Sequence, residues 1–189
     1  MNDPIRILGV PGSLRRHSYN RGLLRAAVDT APEGVVVEIA DLSALPLYNQ
    51  DLEGSLPPSV SEWWDRVRAA DALLIASPEH NFSVSAVLKN AIDWASRAPG
   101  SILKKKPIAL MGATPGGLGT VRAQMALRQV LLFPGANVLV KPELLVSQAR
   151  DKFDAEGNLT DEKTRGLVGA LVEALAAWTR LLRNGAAPA

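Results

Sequence analysis

The chain contains no cysteine. That absence removes disulfides, thiolate catalysis and thiolate metal sites together. Histidine is nearly missing too: His17 and His80 stand in separate loops, and no carboxylate cluster completes a metal site around either. Any redox chemistry must therefore come from a bound organic cofactor. An excess of one charge is also lacking, because 21 Lys and Arg against 19 Asp and Glu leave a net charge of +2. So small an excess does not point to nucleic acid or to a membrane surface as a partner. The one basic run, Lys104-Lys105-Lys106, precedes an apolar segment and reads as a solvated loop. No apolar stretch reaches the length of a membrane span and no signal-like region is present, so a cytoplasmic protein is expected.

What is present is a regular alternation. With 189 residues, 47% of them hydrophobic, the chain can bury a full core, and a single domain over residues 1–189 is expected. Apolar runs at residues 5–10, 35–39, 72–76, 108–113 and 138–140 are separated by segments with helical periodicity. Strand and helix in strict alternation predict an α/β fold, a doubly wound five-stranded parallel sheet of order 2-1-3-4-5 with helices on both faces. In that order strands one, three and four are adjacent, so the loops following them converge where such sheets bind ligands. Residues 161–183 predict a packing helix with Leu167, Val168, Leu171, Val172, Leu175, Trp178 and Leu182 on one face. A helix over 61–70 carries adjacent Trp63 and Trp64, which suit either a core or a subunit contact.

The loop after strand one reads Gly12-Ser13-Leu14-Arg15-Arg16-His17-Ser18-Tyr19-Asn20. A helix follows over 21–31, with Ser18 as its N-cap. Arg15, Arg16, His17 and Arg21 crowd a helix start that favours negative charge, and a bound phosphate would reverse the mismatch. Ser13 and Ser18 supply hydroxyls, Gly12 permits close approach, and Arg15 can grip a phosphate with two donors. The loop lacks the Gly-Lys-Ser/Thr ending of nucleoside triphosphatases and the three-glycine dinucleotide fingerprint. A compact monophosphate is the ligand it predicts; a plain Gly/Ser turn with solvated arginines is the alternative.

Two further loops carry candidate residues. Pro78-Glu79-His80-Asn81-Phe82-Ser83 follows strand three and offers backbone amides, an aromatic and two titratable groups, which suits the edge and face of a planar heteroaromatic ring. Thr114-Pro115-Gly116-Gly117-Leu118-Gly119-Thr120 follows strand four, and its glycines allow close approach or a flexible turn. Lys89 and Asp93 have the spacing of a helix-surface ion pair.

The residues Gly12-Ser13-x-Arg15-x-x-Ser18-x-Asn20 resemble the flavin-phosphate loop of the NADPH-dependent FMN reductase family, in particular its branch of chromate or quinone reductases. Pro78-Glu79-x-Asn81 followed by Leu88-Lys89-Asn90-Ala91-Ile92-Asp93-Trp94 is similar to the family's second signature, and the run from Thr114 to Gln129 is similar to its third. The resemblance implies a flavodoxin-like fold. It implies FMN as cofactor and NAD(P)H as co-substrate, with quinones, azo compounds, chromate or free flavin as acceptors. By the same resemblance Ser13, Arg15, Ser18, Tyr19 and Asn20 surround the phosphate, Pro78, Glu79, His80, Asn81 and Phe82 line the flavin ring, and Thr114, Gly116 and Gly117 lie beside it. Arg122 is a weaker candidate for a subunit or nicotinamide-phosphate contact, and the Tyr48 segment is expected to border the cleft. No side chain is expected to act as a nucleophile, and a homodimer or homotetramer is expected. Two departures stand out: the family usually has tyrosine where His80 stands and Pro-Gly where Ser85-Ala86 stands. A flavin-binding electron carrier or redox sensor is the competing function, disfavoured by the near-neutral charge. A hydrolase using Ser13 or Ser18 lacks both a nucleophile-elbow motif and a base.

Overall fold

The computed structural model describes residues 3–185. Its elements, in chain order, are β1 (Ile5–Pro11), α1 (Tyr19–Asp29), β2 (Val35–Ile39), α2 (Pro58–Ala69), β3 (Ala72–Ala76), α3 (Ala86–Ser96), β4 (Pro107–Ala113), α4 (Val121–Leu132), β5 (Asn137–Val138), β6 (Leu144–Val146) and α5 (Glu162–Gly185). All strand pairings are parallel and the order is β2-β1-β3-β4-β5, with β6 also on β4.

The central strands β3 and β4 are buried on both faces, as is β1 at every position but Arg6, and their side chains alternate between two cores. Ile5 and Ile7 of β1, Leu74 of β3 and Ala109 and Met111 of β4 pack with α1 and α5 on one face. Leu8 and Val10, Leu73 and Ile75, and Ile108 and Leu110 pack with α2, α3 and α4 on the other. This explains why the strands read as continuous apolar runs: a parallel sheet covered by helices on both sides has no polar face.

The expected single fifth strand over 138–140 is instead two short segments. β5 pairs with the beginning of β4 at Pro107 and Ile108, and β6 pairs with its end from Met111 to Ala113. Between them lies Pro142, which has no N–H to contribute to a ladder. The division extends the sheet edge to the third loop, because Thr114 N donates to Val146 O at 3.0 Å.

Trp63 belongs to the interior, and Trp64 is partly buried against the same core. Trp63 is 5% exposed, and the two indole N–H groups donate to Ala91 O at 2.9 Å and Trp94 O at 2.8 Å, fastening α2 to α3. Exposed apolar side chains lie elsewhere, among them Met125, Leu132 and Phe133 on and after α4. The Tyr48 segment is likewise tied to α3: Asn90 Nδ2 and Trp94 Nε1 both donate to Pro46 O, and Tyr48 N donates to Asn90 Oδ1. On α5, Val168, Leu171, Val172 and Leu175 are buried as expected, whereas Leu167 is half exposed. Lys104 and Lys105 are exposed, as the solvated-loop reading expects, but Lys106 departs from it. It is partly buried, its ammonium donates to Ala70 O at 2.6 Å, and burial pushes its pKa down from the ordinary lysine value. Lys89 and Asp93 form the expected pair at 2.8 Å.

Candidate active site

The first loop leaves β1 at its carboxyl end. Ser18 caps α1 as expected, its Oγ accepting from Arg21 N at 3.4 Å. No acidic residue occupies the first turn of α1, so the positive end of the helix has no internal counter-charge. Arg15 has no carboxylate partner among the described residues. Its guanidinium rests 5.1 Å from the Tyr19 ring centre, and that ring stacks in turn on Phe153 at 5.0 Å. Gly12 is small for a different reason from the one expected: a Cβ there would meet Pro78 Cδ at 2.6 Å and Leu88 Cδ1 at 2.7 Å. The second loop, not a ligand, passes at this point.

That second loop is a two-residue hairpin. His80 and Ser83 exchange backbone bonds of 3.2 and 2.9 Å, with Asn81 at φ 48° and Phe82 at φ 65° forming the turn. Successive left-handed residues suit asparagine but are costly for phenylalanine, and such strain persists where its surroundings enforce it. Here the enforcement is visible. The Arg122 guanidinium lies 3.6 Å from the Phe82 ring centre, and its Nε donates to Glu79 Oε1 at 2.7 Å. Glu79 Oε2 also accepts from the backbone N–H groups of Arg122 and Ala123 at 3.0 and 3.3 Å. Thr120, left-handed at φ 69°, makes no side-chain cap, so Glu79 caps α4 from the neighbouring loop and satisfies its first amides.

The third loop is joined to the first by one side chain. Asn20 Nδ2 donates to Ala113 O at 3.0 Å, and Ala113 N donates to Asn20 Oδ1 at 2.9 Å. The buried amide thus completes the end of β4 as a strand would, across the intervening β3. After β6 the chain returns over the same edge: Gln148 N donates to Gly116 O at 3.1 Å and Ala149 N to Thr114 O at 3.0 Å. This return brings Arg150 to the site.

Together these segments enclose a cavity of about 550 Å³ lined by Ser13, Arg15, Ser18, Tyr19, Asn20 and Arg150 with Pro78, Glu79, His80, Ala113, Thr114 and Pro115. That volume falls within the roughly 300–1,000 Å³ of small-ligand clefts. Against known proteins, the family model for NADPH-dependent FMN reductase matches residues 5–151. The chain belongs to that family. It is 48% identical over 185 residues to an NAD(P)H-dependent FMN reductase of Pseudomonas aeruginosa, spanning 97% of this chain and 100% of that one. It is 46% identical over 187 residues to the NADPH:quinone oxidoreductase of Arabidopsis thaliana, spanning 95% and 94%. Among solved structures it is similar to FerB, a flavoenzyme NAD(P)H:(acceptor) oxidoreductase from Paracoccus denitrificans, with TM-score 0.84, 34% identity and coverage of 93% and 97%.

Within this FMN reductase family member, nine of the thirteen expected cofactor residues line the one cavity: Ser13, Arg15, Ser18, Tyr19, Asn20, Pro78, Glu79, His80 and Thr114. Asn81, Phe82, Gly116 and Gly117 are not among its lining residues. Of the nine, Asn20 and Glu79 spend their polar atoms on other protein groups, as described, so Ser13, Arg15, Ser18 and the backbone are the donors left at the α1 end. Arg122, committed to Glu79 and Phe82, is not a lining residue either. The Ser85-Ala86 departure has a structural outcome: Ser85 Oγ accepts from Leu88 N at 3.3 Å and caps α3. Arg150 was not found from the sequence, since it lies outside all three signatures and reaches the cavity only through the pairing of β6 with β4.

Proposed function

We propose that the chain is an FMN-dependent NAD(P)H oxidoreductase, a quinone reductase of broad acceptor range, built as one FMN-binding domain along its length. The single observation that carries the reading is the cavity itself, in which the uncompensated start of α1 with Arg15, Ser13 and Ser18 meets the second and third loops at the carboxyl ends of β1, β3 and β4. The donor set suits a phosphate dianion at the α1 end. Pro78, Glu79, His80, Thr114 and Pro115 form the other end, where main-chain groups can address a planar ring. When bound there, flavin supplies hydride acceptance from NAD(P)H and onward transfer to the acceptor.

The chain's own contribution is then to bind and orient. The cap on α4 leaves the Glu79 carboxylate engaged with two backbone N–H groups and Arg122, which is a scaffold's arrangement and not that of a free acid or base. Azo compounds, chromate and free flavin belong to the same proposal as acceptors, since a broad cleft selects weakly among small planar or anionic oxidants. A cytoplasmic location is part of it as well; among the described residues no helix is long and apolar enough to cross a membrane. So is assembly as a homodimer or homotetramer, for which the exposed Met125, Leu132 and Phe133 offer apolar surface.

The test is an absorbance spectrum after FMN addition and desalting, followed by NADPH without air and then by a quinone. Retained flavin bands that bleach with NADPH and return with the quinone are expected. Retained bands that NADPH leaves intact would make the chain a carrier or sensor, and absence of FMN binding in a direct titration would overturn the reading of the cavity.

A further inference from the structure

We propose that Arg150 is a second phosphate ligand in the cavity and that, with Arg15, it makes the site select a phosphorylated flavin over riboflavin. The inference rests on the FMN reading above and adds to it a residue outside the three loops.

The position of Arg150 is set by the main chain. β6 ends at Val146, and the turn that follows is tied to the third loop by Gln148 N to Gly116 O and Ala149 N to Thr114 O. Ala149 is fully buried, so the next residue projects from a fixed base. Beyond it, residues 152–160 fold back as a strap on the first loop and α1. Phe153 stacks on Tyr19, Arg25 donates to Gly157 O at 2.7 Å and to Asn158 Oδ1 at 3.0 Å, and His17 Nδ1 lies 3.1 Å from Glu156 O. Gly22 has no room for a side chain, since a Cβ there would strike Gly157 O. Arg150 is therefore held between two anchored points, the third loop on one side and the Tyr19–Phe153 stack on the other.

The charge balance then gives it a role. A phosphate monoester carries close to two negative charges at neutral pH. The α1 terminus offers about half a positive charge and Arg15 one more, which leaves the dianion short by about half a charge. Arg150 lines the same cavity and its guanidinium, like that of Arg15, has no hydrogen-bond or ion-pair partner among the described residues. Arg16 carries the same charge in the first loop yet does not line the cavity. The acidic lining residue, Glu79, is already neutralised by Arg122. Two arginines thus line a cavity whose lining carboxylate, Glu79, is already paired, and an arginine fork on phosphate is a strong, directional bond.

The experiment compares FMN and riboflavin, which share the ring and differ in the phosphate. Dissociation constants are measured by flavin fluorescence titration of the apoprotein for the native chain, Arg150→Ala, Arg150→Lys and Arg16→Ala, with circular dichroism to check folding. Arg150→Ala should weaken FMN roughly tenfold and riboflavin less than twofold. Arg150→Lys, which keeps the charge but not the fork, should recover only part of the loss, and Arg16→Ala should change neither. Equal weakening of both ligands would overturn the proposal in favour of a general distortion, as would unchanged FMN affinity with a raised KM for NADPH, which would move Arg150 to the reductant. Failure of the native chain to bind FMN at all would instead sink the cofactor reading beneath it.

Discussion

The two ends of the same sheet treat charge in opposite ways. At the amino ends of the strands several charges are paired within the protein: Asp71 accepts from Arg6 N at 2.8 Å and pairs with Arg183, and Lys106 donates to Ala70 O. At the carboxyl ends Arg15 and Arg150 face a cavity without partners, and Asn81, Phe82 and Thr120 hold left-handed backbone. One end closes the fold; the other keeps donors available, as a binding site must. The exception at the carboxyl end is the Glu79–Arg122 pair, and it is instructive because it joins two loops and so fixes the cavity wall instead of facing a ligand.

Crowding the carboxyl end should have the largest effect. Gly12→Ala would place a methyl group 2.6 Å from Pro78 Cδ and 3.0 Å from Ala76 O. Pro78 is rigid and Ala76 O is a backbone atom accepting from Gly12 N at 2.8 Å, so little can yield. A loss of about 2–3 kcal/mol in urea unfolding is expected, together with weakened FMN and riboflavin alike, because the first two loops would move apart. A variant as stable as the native chain would show that these loops are not packed against one another.

Removing the bridging charge should do less. In Glu79→Gln the amide can still accept from one N–H at the start of α4, but its NH2 faces the Arg122 guanidinium. With the Glu79 side chain 9% and Arg122 39% exposed, the partial screening on the arginine side holds the expected loss to about 1–2 kcal/mol. Kinetics separates a scaffold from a catalytic group. A scaffold role predicts that NADPH oxidation by the FMN-loaded variant keeps its pH profile and stays within about threefold of native kcat. A collapse of kcat with a lost limb of the profile would make Glu79 an acid or base after all.

Much of the carboxyl end was legible because its signals are local. Ser18 capping α1, strands over 35–39 and 72–76 and the convergence of the loops after β1, β3 and β4 all follow from spacing within a dozen residues. The parts that were not legible depend on contacts between distant segments. Gly12 looked permissive toward a ligand, yet its constraint is Leu88 and Pro78. Glu79 looked like a ring contact, yet its acceptors serve α4 more than 40 residues away. Arg150 carried no motif and became visible only once the fifth strand was seen to be split. Adjacent Trp63 and Trp64 could not be assigned from sequence because either indole could have found its partner in another subunit; both found it in α3.

The smallest expected effect belongs to the amino end. Lys106→Met removes an ammonium that burial disfavours, with Arg183 adding repulsion and Asp71 attraction. It also leaves Ala70 O without its donor. These changes oppose one another, so stability near pH 7 should move by no more than about 1 kcal/mol, and FMN affinity should not move at all. The pH dependence carries the information. Because the folded pKa lies below the ordinary lysine value of 10.5, the unfolded chain holds more protons between those two values, and the native chain gains stability there as pH rises. Below that window lysine is charged in both states and the slope vanishes. The difference in unfolding free energy between the native chain and Lys106→Met should therefore shift toward the native chain as pH approaches 10.5. A difference flat with pH would mean that Lys106 is as well solvated folded as unfolded. The amino end would then be merely paired, and its contrast with the open carboxyl end would rest on charge placement without a desolvation cost.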